Sequence, residues 1–203
     1  MMTNNTEAQD AFINFDSFYD KIININSYIT LELELVSTEC NGMPHASISV
    51  NDTELFSEEL PTGSHKLSFK YDILDQTQFN LSISMSGKNT NDTMVDADGN
   101  ITQDKCIILA DLKINNFDIL RDYNLFYKTV KYKNNTNGQF EDAKAGFWNN
   151  STLVLDATIP FVNWYNENST KNINLSNSMQ YRKMATVQIE FDRLVNNLNL
   201  LDI

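Results

Sequence analysis

The chain has 203 residues, 41% of them hydrophobic and 21% charged, which is enough to bury one substantial core and too apolar for a disordered chain. Only 3 prolines and 6 glycines are present, and that excludes collagen-like and proline-rich classes. A formal charge of −12 argues against a nucleic-acid ligand, because a phosphate backbone demands clustered Lys and Arg.

The charge is uneven. Between Lys21 and Lys66 there is no Lys or Arg, while Glu32, Glu34, Glu39, Asp52, Glu54, Glu58 and Glu59 all fall there; the cations gather later, at Lys128, Lys131 and Lys133. No apolar run reaches the roughly 18 residues of a membrane-spanning helix, so no membrane insertion is expected. The first ten residues are polar and acidic and lack the order of a signal peptide. Cys40 and Cys106 stand far apart without metal-ligand spacing and read as two buried thiols rather than a disulfide.

In chain order, residues 1–27 open with a polar stretch and then a burst of aromatics, Phe12, Phe15, Phe18 and Tyr19, without helical or strand period. They read as an extended arm that lays aromatic side chains on a surface. From residue 28 the period becomes two. Ile29, Leu31, Leu33 and Leu35 alternate with Thr30, Glu32 and Glu34, which predicts a strand with one buried face and one carboxylate-lined face. Ala46, Ile48 and Val50, then Leu67, Phe69 and Tyr71, then Phe79, Leu81, Ile83 and Met85 repeat the pattern. Further apolar runs lie at 106–120, 125–132 and 147–159. The 28 asparagines fall largely between these runs, where Asn supports turns and left-handed backbone. Short strands joined by Asn- and Gly-bearing loops, with no helical stretch between them, predict an all-β fold over residues 28–170: an antiparallel β-sandwich, jelly-roll or carbohydrate-binding-module-like. Residues 171–203 differ. Met184, Val187, Phe191, Leu194, Leu198 and Leu201 form a heptad seam on a C-terminal α-helix. That seam suits packing on the sandwich or on a neighbouring subunit.

Three groups of residues are candidates for chemistry. Asp96, Asp98 and Asn100 around Gly99 suit an oxygen-rich calcium turn in part, since Met94 and Lys105 stand where the first and twelfth loop ligands belong, and a plain hairpin turn is the favoured alternative. Phe147-Trp148-Asn149 and Asn163-Trp164-Tyr165 each join aromatic rings to amides, the combination that holds sugar by stacking and hydrogen bonding; core packing of both tryptophans is the alternative. Carboxylates are plentiful, but no hydrolase, phosphate-loop or zinc-protease motif occurs.

The order of segments 29–36, 44–50, Gly63-Ser64-His65-Lys66-Leu67-Ser68-Phe69 and 79–88 resembles calcium-dependent, xylan-binding-type carbohydrate-binding modules. Gly87-Lys88, Asn91-Asp92-Thr93, residues 95–101, Asp104-Lys105, residues 146–152 and the stretch 160–168 resemble uncharacterised virion-associated proteins of large marine tailed phages. These resemblances imply a non-enzymatic structural protein of a virion, located in a tail, baseplate, fibre or capsid surface. Its implied partners are other virion proteins, further copies of itself in a homo-oligomer, and host-surface polysaccharide. Calcium is the implied cofactor, on Asp92, Asp96, Asp98 and Asp104. A calcium-dependent glycan-binding module, with Trp148, Asn149, Trp164 and Tyr165 as its contacts, is the rival reading. A glycoside-cleaving enzyme is a third, and needs two carboxylates about 5 to 10 Å apart. The arm and the helix seam would supply the assembly contacts.

Overall fold

The computed structural model describes residues 28–73 and 76–169, which lie in one compact unit spanning Ile25–Thr170. The expected aromatic arm (Phe12, Phe15, Phe18, Tyr19) and the expected heptad helix (Met184, Val187, Phe191, Leu194, Leu198, Leu201) lie outside the described residues.

Two antiparallel sheets face each other. The first contains β1 (Tyr28–Thr38), β4 (Gly63–Asp72), β8 (Cys106–Ile114), β9 (Phe117–Asp118) and β12 (Gly146–Phe147), in the order β12-β8-β1-β4 with β9 paired to β8. The second contains β2 (His45–Val50), β3 (Thr53–Glu59), β5 (Gln78–Ser86), β10 (Val130–Asn134), β11 (Phe140–Asp142) and β13 (Ser151–Thr158), in the order β11-β10-β13-β5-β2-β3. A separate hairpin, β6 (Thr93–Val95) with β7 (Ile101–Asp104), leaves one end of the sandwich. The fold is therefore the all-β antiparallel sandwich that the period-two alternation predicts.

Alternation builds the core directly. Ile29, Leu31, Leu33 and Leu35 of β1 are buried, as are Ala46, Ile48 and Val50 of β2 and Phe79, Leu81, Ile83 and Met85 of β5. Their intervening neighbours face outward. The asparagines act at the turns. Asn51-Asp52 and Asn115-Asn116 hold φ between 47° and 64°, the left-handed pair that a two-residue hairpin needs. Each turn is also tied to an adjoining strand, Asn115 Oδ1 accepting from Thr30 N at 2.9 Å and Asn51 Oδ1 from Asn80 N at 2.7 Å.

Among the described residues two short helices depart from the all-strand expectation: α1 (Tyr123–Thr129) and α2 (Phe161–Asn168). The run 125–132 read as strand begins with one helical turn because Asp122, buried, caps it by accepting from Leu125 N at 3.3 Å. Pro160 at the N-cap starts α2. Both helices cover the end of the sandwich opposite the β6–β7 hairpin. That follows from strand direction: β5 ends and β8 begins at the hairpin, while β13 ends at α2 and β9 runs towards α1. Cys40 and Cys106 are buried, free thiols.

Candidate functional site

The outer face of the first sheet carries an exposed indole on a prepared bed. Phe147 pairs with Ile107 and both are buried; Gly146 pairs with Ile108, which is 40% exposed, so the Gly146 position faces outward. Trp148 lies two residues beyond Gly146 and is 52% exposed. A Cβ added at Gly146 would lie 2.2 Å from the indole Cη2 and 2.5 Å from Cζ2. The six-membered ring therefore rests on bare backbone, and only glycine leaves room for it.

The register extends this surface across the sheet. Ile108 stands opposite Val36, and Val36 opposite Ser64, giving an apolar row that starts at the indole and ends on a hydroxyl. Beside it runs a charged row in which Asp111 faces Glu34 and Glu34 faces Lys66. A bulge at Ala110 sets the two rows against each other. Ser64 Oγ donates to Glu34 Oε1 at 2.5 Å. Asp111 Oδ2 lies 3.2 Å from Lys113 Nζ, while its Oδ1, shielded from solvent, accepts no hydrogen bond and has Arg121 Nη2 at 4.0 Å. Aromatic face, apolar row and carboxylates thus share the outer face of one sheet, with β12 and β1 two inter-strand spacings apart, about 10 Å.

The other residues of the expected glycan set are placed differently. Asn149 Oδ1 accepts from Tyr132 OH at 2.6 Å, and Ser151 Oγ donates to the same phenol oxygen at 2.6 Å. Burial pushes the Tyr132 phenol up from its usual range. Asn149 thus anchors the strand after Trp148. Trp164 and Tyr165 are 6% and 4% exposed and are not brought to this face. Trp164 packs against Phe161 at 5.1 Å between ring centroids, and Tyr165 packs on Phe117 at 4.4 Å with its hydroxyl 3.4 Å from Asp122. They seal the helical end of the core, so the sugar role expected for them is corrected by their burial.

The four aspartates expected to hold calcium are not gathered either. Asp92 Oδ2 sits 2.6 Å from Lys105 Nζ, and both side chains are 4% exposed. Lys105 Nζ also donates to Gly87 O at 3.1 Å, and Asp92 accepts from Asn89 N at 2.8 Å. The ammonium of Lys105, helped by the Asn89 amide, holds the Asp92 carboxyl below the usual range. Asp104 is taken by Lys88, at 2.5 Å, and by the Thr93 hydroxyl. Asp96 closes the hairpin tip by accepting from Asn100 N at 2.8 Å and Asp98 N at 3.0 Å, bonds that lower its pKa, Asn100 most of all. Asp98 is exposed. Among the described residues no group of three or more His, Cys, Asp or Glu side chains could hold a metal ion. Lys105 and Lys88 take Asp92 and Asp104, Asp96 is engaged by its own turn and Asp98 stands apart, so these four aspartates do not fit a shared calcium site.

Glu34, Ile108 and Gly146 escaped the reading of candidate residues. The signal for Glu34 was the carboxylate alternation of β1; for Gly146 it was a glycine two residues before a tryptophan at a strand edge.

No family model matches the sequence, and no curated protein matches it. Among solved structures the chain is similar to the selenomethionine form of vCBM60, described in connection with two families of calcium-dependent carbohydrate binding modules linked by circular permutation. The TM-score is 0.42 at 11% identity, over 63% of this chain and 89% of that one. The class that the coordinates themselves define is an antiparallel β-sandwich bearing, on the outer face of one sheet, an exposed indole and a row of alternating acidic and basic side chains.

Proposed function

We propose that this chain is a non-enzymatic carbohydrate-binding module whose sugar platform is Trp148 on the outer face of the first sheet. The observation that carries the reading is the half-exposed indole seated on Gly146, where any other residue would collide with it. An indole in water, seated on backbone, with carboxylates further across the same sheet face, matches what a pyranose ring needs: an apolar face to stack on and acceptors for its hydroxyls. Glu34 and Ser64 are the acceptor and hydroxyl nearest in register to the apolar row. Calcium has no part in this mechanism.

The test is an array of neutral oligosaccharides and bacterial surface polysaccharides, followed by titration calorimetry of each hit. Binding that Trp148→Ala abolishes and that chelator leaves unchanged supports the proposal. Absence of binding to every glycan, or binding indifferent to Trp148→Ala, rejects it. Residence on a tailed-phage particle, with host-surface polysaccharide as the ligand, is a separate proposal; antibody labelling of purified particles tests it.

A further inference from the structure

The distances at Gly146 also fix how the indole lies. A Cβ there would stand 2.2 Å from Cη2, 2.5 Å from Cζ2 and 2.6 Å from Cζ3. A point outside the ring, in its plane and that close to Cη2, would be much farther from both neighbours, so the Cβ position lies beneath the ring face. The glycine Cα keeps at least about 3.5 Å from a ring carbon. With the Cβ position so close to Cη2, that separation is reached only if the Cα–Cβ direction points at the ring. An outward Cα–Cβ direction stands roughly perpendicular to a sheet. The indole therefore lies face down over β12, roughly parallel to the sheet, and turns its other face to solvent.

From the indole a lane crosses the strands. Ile108, Val36 and Ser64 continue from Gly146 in register, one each on β8, β1 and β4. Val36 is half-buried and Ser64 exposed. The row Asp111, Glu34 and Lys66 borders the lane on one side. On the other side stand Thr38 and Cys106, the next outward pair in register. Thr38 Oγ1 donates to Asp104 O at 2.6 Å, and Cys106 is buried although it shares a face with Ile108. The base of the β6–β7 hairpin thus forms the second border. Because β12 and β4 end the strand order of this sheet, the lane runs from one edge of the sheet to the other.

We infer that the ligand of this face is a neutral, straight, equatorially linked polysaccharide, gripped along an internal stretch of about three sugar residues that crosses the strands. The inference rests on the sugar platform proposed above. A sugar stacked on the indole lies parallel to the sheet, and a chain with equatorial linkages keeps its next rings in that plane. A chain with axial linkages curls its next ring off the surface. From β12 to β4 is three inter-strand spacings, about 14 Å, and one residue of an extended chain is about as long as one spacing. The bordering row sets the charge: Asp111 and Glu34 oppose an acidic chain, and Lys66 opposes a cationic one. A lane that runs from edge to edge lets the chain continue beyond both ends, so no chain terminus is needed for recognition.

Titration calorimetry of the full chain in chelator, with cello-oligosaccharides and N-acetylchito-oligosaccharides of one to six residues, tests it. At least one series should gain about tenfold or more in affinity from the single sugar to the trimer and change little beyond the tetramer. Reducing the terminal sugar of the hexamer to its open alditol should leave the affinity unchanged, and malto-oligosaccharides should bind no tighter than a single sugar. Val36→Arg places a long side chain in the middle of the lane. It should weaken the hexamer about tenfold and leave the dimer as it is; Val36→Gln is the milder variant, and circular dichroism melting verifies each fold. A hexamer no tighter than the dimer, binding lost on end reduction, malto-oligosaccharides that bind equally well, or indifference to both Val36 variants overturns the inference. So does failure of both series to bind. The platform itself is judged separately: binding that Trp148→Ala abolishes, to these oligosaccharides or to any glycan on the array, leaves it standing when the inference falls.

Discussion

Replacing Gly146 by alanine tests the bed beneath Trp148 without touching the indole. The new Cβ would stand 2.2 Å from Cη2, where carbon atoms in contact prefer about 3.7 Å, so the ring must lift by about 1.5 Å or swing away. Trp148 is 52% exposed, so the contact at stake is the other half of a side chain that buries roughly 200 Å² when fully enclosed. About 100 Å² at about 25 cal/mol per Å² gives an upper limit of about 2.5 kcal/mol. The expected cost of Gly146→Ala is about 1 to 2 kcal/mol, read as about 2 to 8 °C in Tm for a chain of this size. Gly146 does not hold a left-handed backbone, so alanine carries no conformational penalty of its own. Denaturant unfolding of Gly146→Ala, Trp148→Ala and the double variant gives the coupling directly. With Trp148 already removed, Gly146→Ala should cost less than about 0.5 kcal/mol. A cost equal in both backgrounds, or none in the wild type, refutes the seating of the indole on Gly146.

Lys105→Met should lower Tm by stranding the buried Asp92 carboxylate, and adding Asp92→Asn should recover part of the loss; an unchanged Tm in Lys105→Met contradicts the clasp. Calcium and chelator should leave the wild-type Tm where it is, and a calcium-dependent rise would show that the lysines do not suffice. Acid should weaken the same region. Asp92 and Asp96 have folded pKa values below the ordinary 3.8, so their contribution is present above that value and is lost as pH falls through the folded values. Protection factors for amide exchange at residues 89–104 should fall there; protection that persists in fully acid solution contradicts the prediction. Asp122→Ala removes the α1 cap together with the acceptor for Tyr165 and Ser169, and should cost about 2 kcal/mol or more in denaturant unfolding. A loss below about 0.5 kcal/mol would show the cap to be dispensable.

Much of the sandwich is legible in the sequence, because alternation ties burial to position one residue at a time. Ile29 to Leu35 and Phe79 to Met85 could form buried rows only as strands, and the Asn pairs at 51 and 115 mark the turns that reverse them. The two helices were not legible. Seven and eight residues are too few to establish a 3.6-residue period, and α1 depends on the cap from Asp122, a residue that in sequence is merely one more acid. The candidate site was half legible. Trp148 stands out as an aromatic in an Asn-rich stretch, but so does Trp164, and only three-dimensional placement sends one to solvent and the other into the core. The calcium set shows the same limit from the other side. Asp92 and Asp104 look like free oxygen donors in a list of residues. The lysines that occupy them, Lys105 and Lys88, lie 13 and 16 positions away in sequence, and nothing in the spacing pairs them.

The most direct measurement of the central claim is fluorescence of the intact chain titrated with the array-selected oligosaccharide, in chelator, with acrylamide as quencher. Trp164 is buried, so a sugar-dependent change reports Trp148. The account predicts a saturable blue shift and protection of the emission from acrylamide, both lost in Trp148→Ala. A saturable calorimetric signal with no change in the accessibility of Trp148 would place the sugar elsewhere and contradict it.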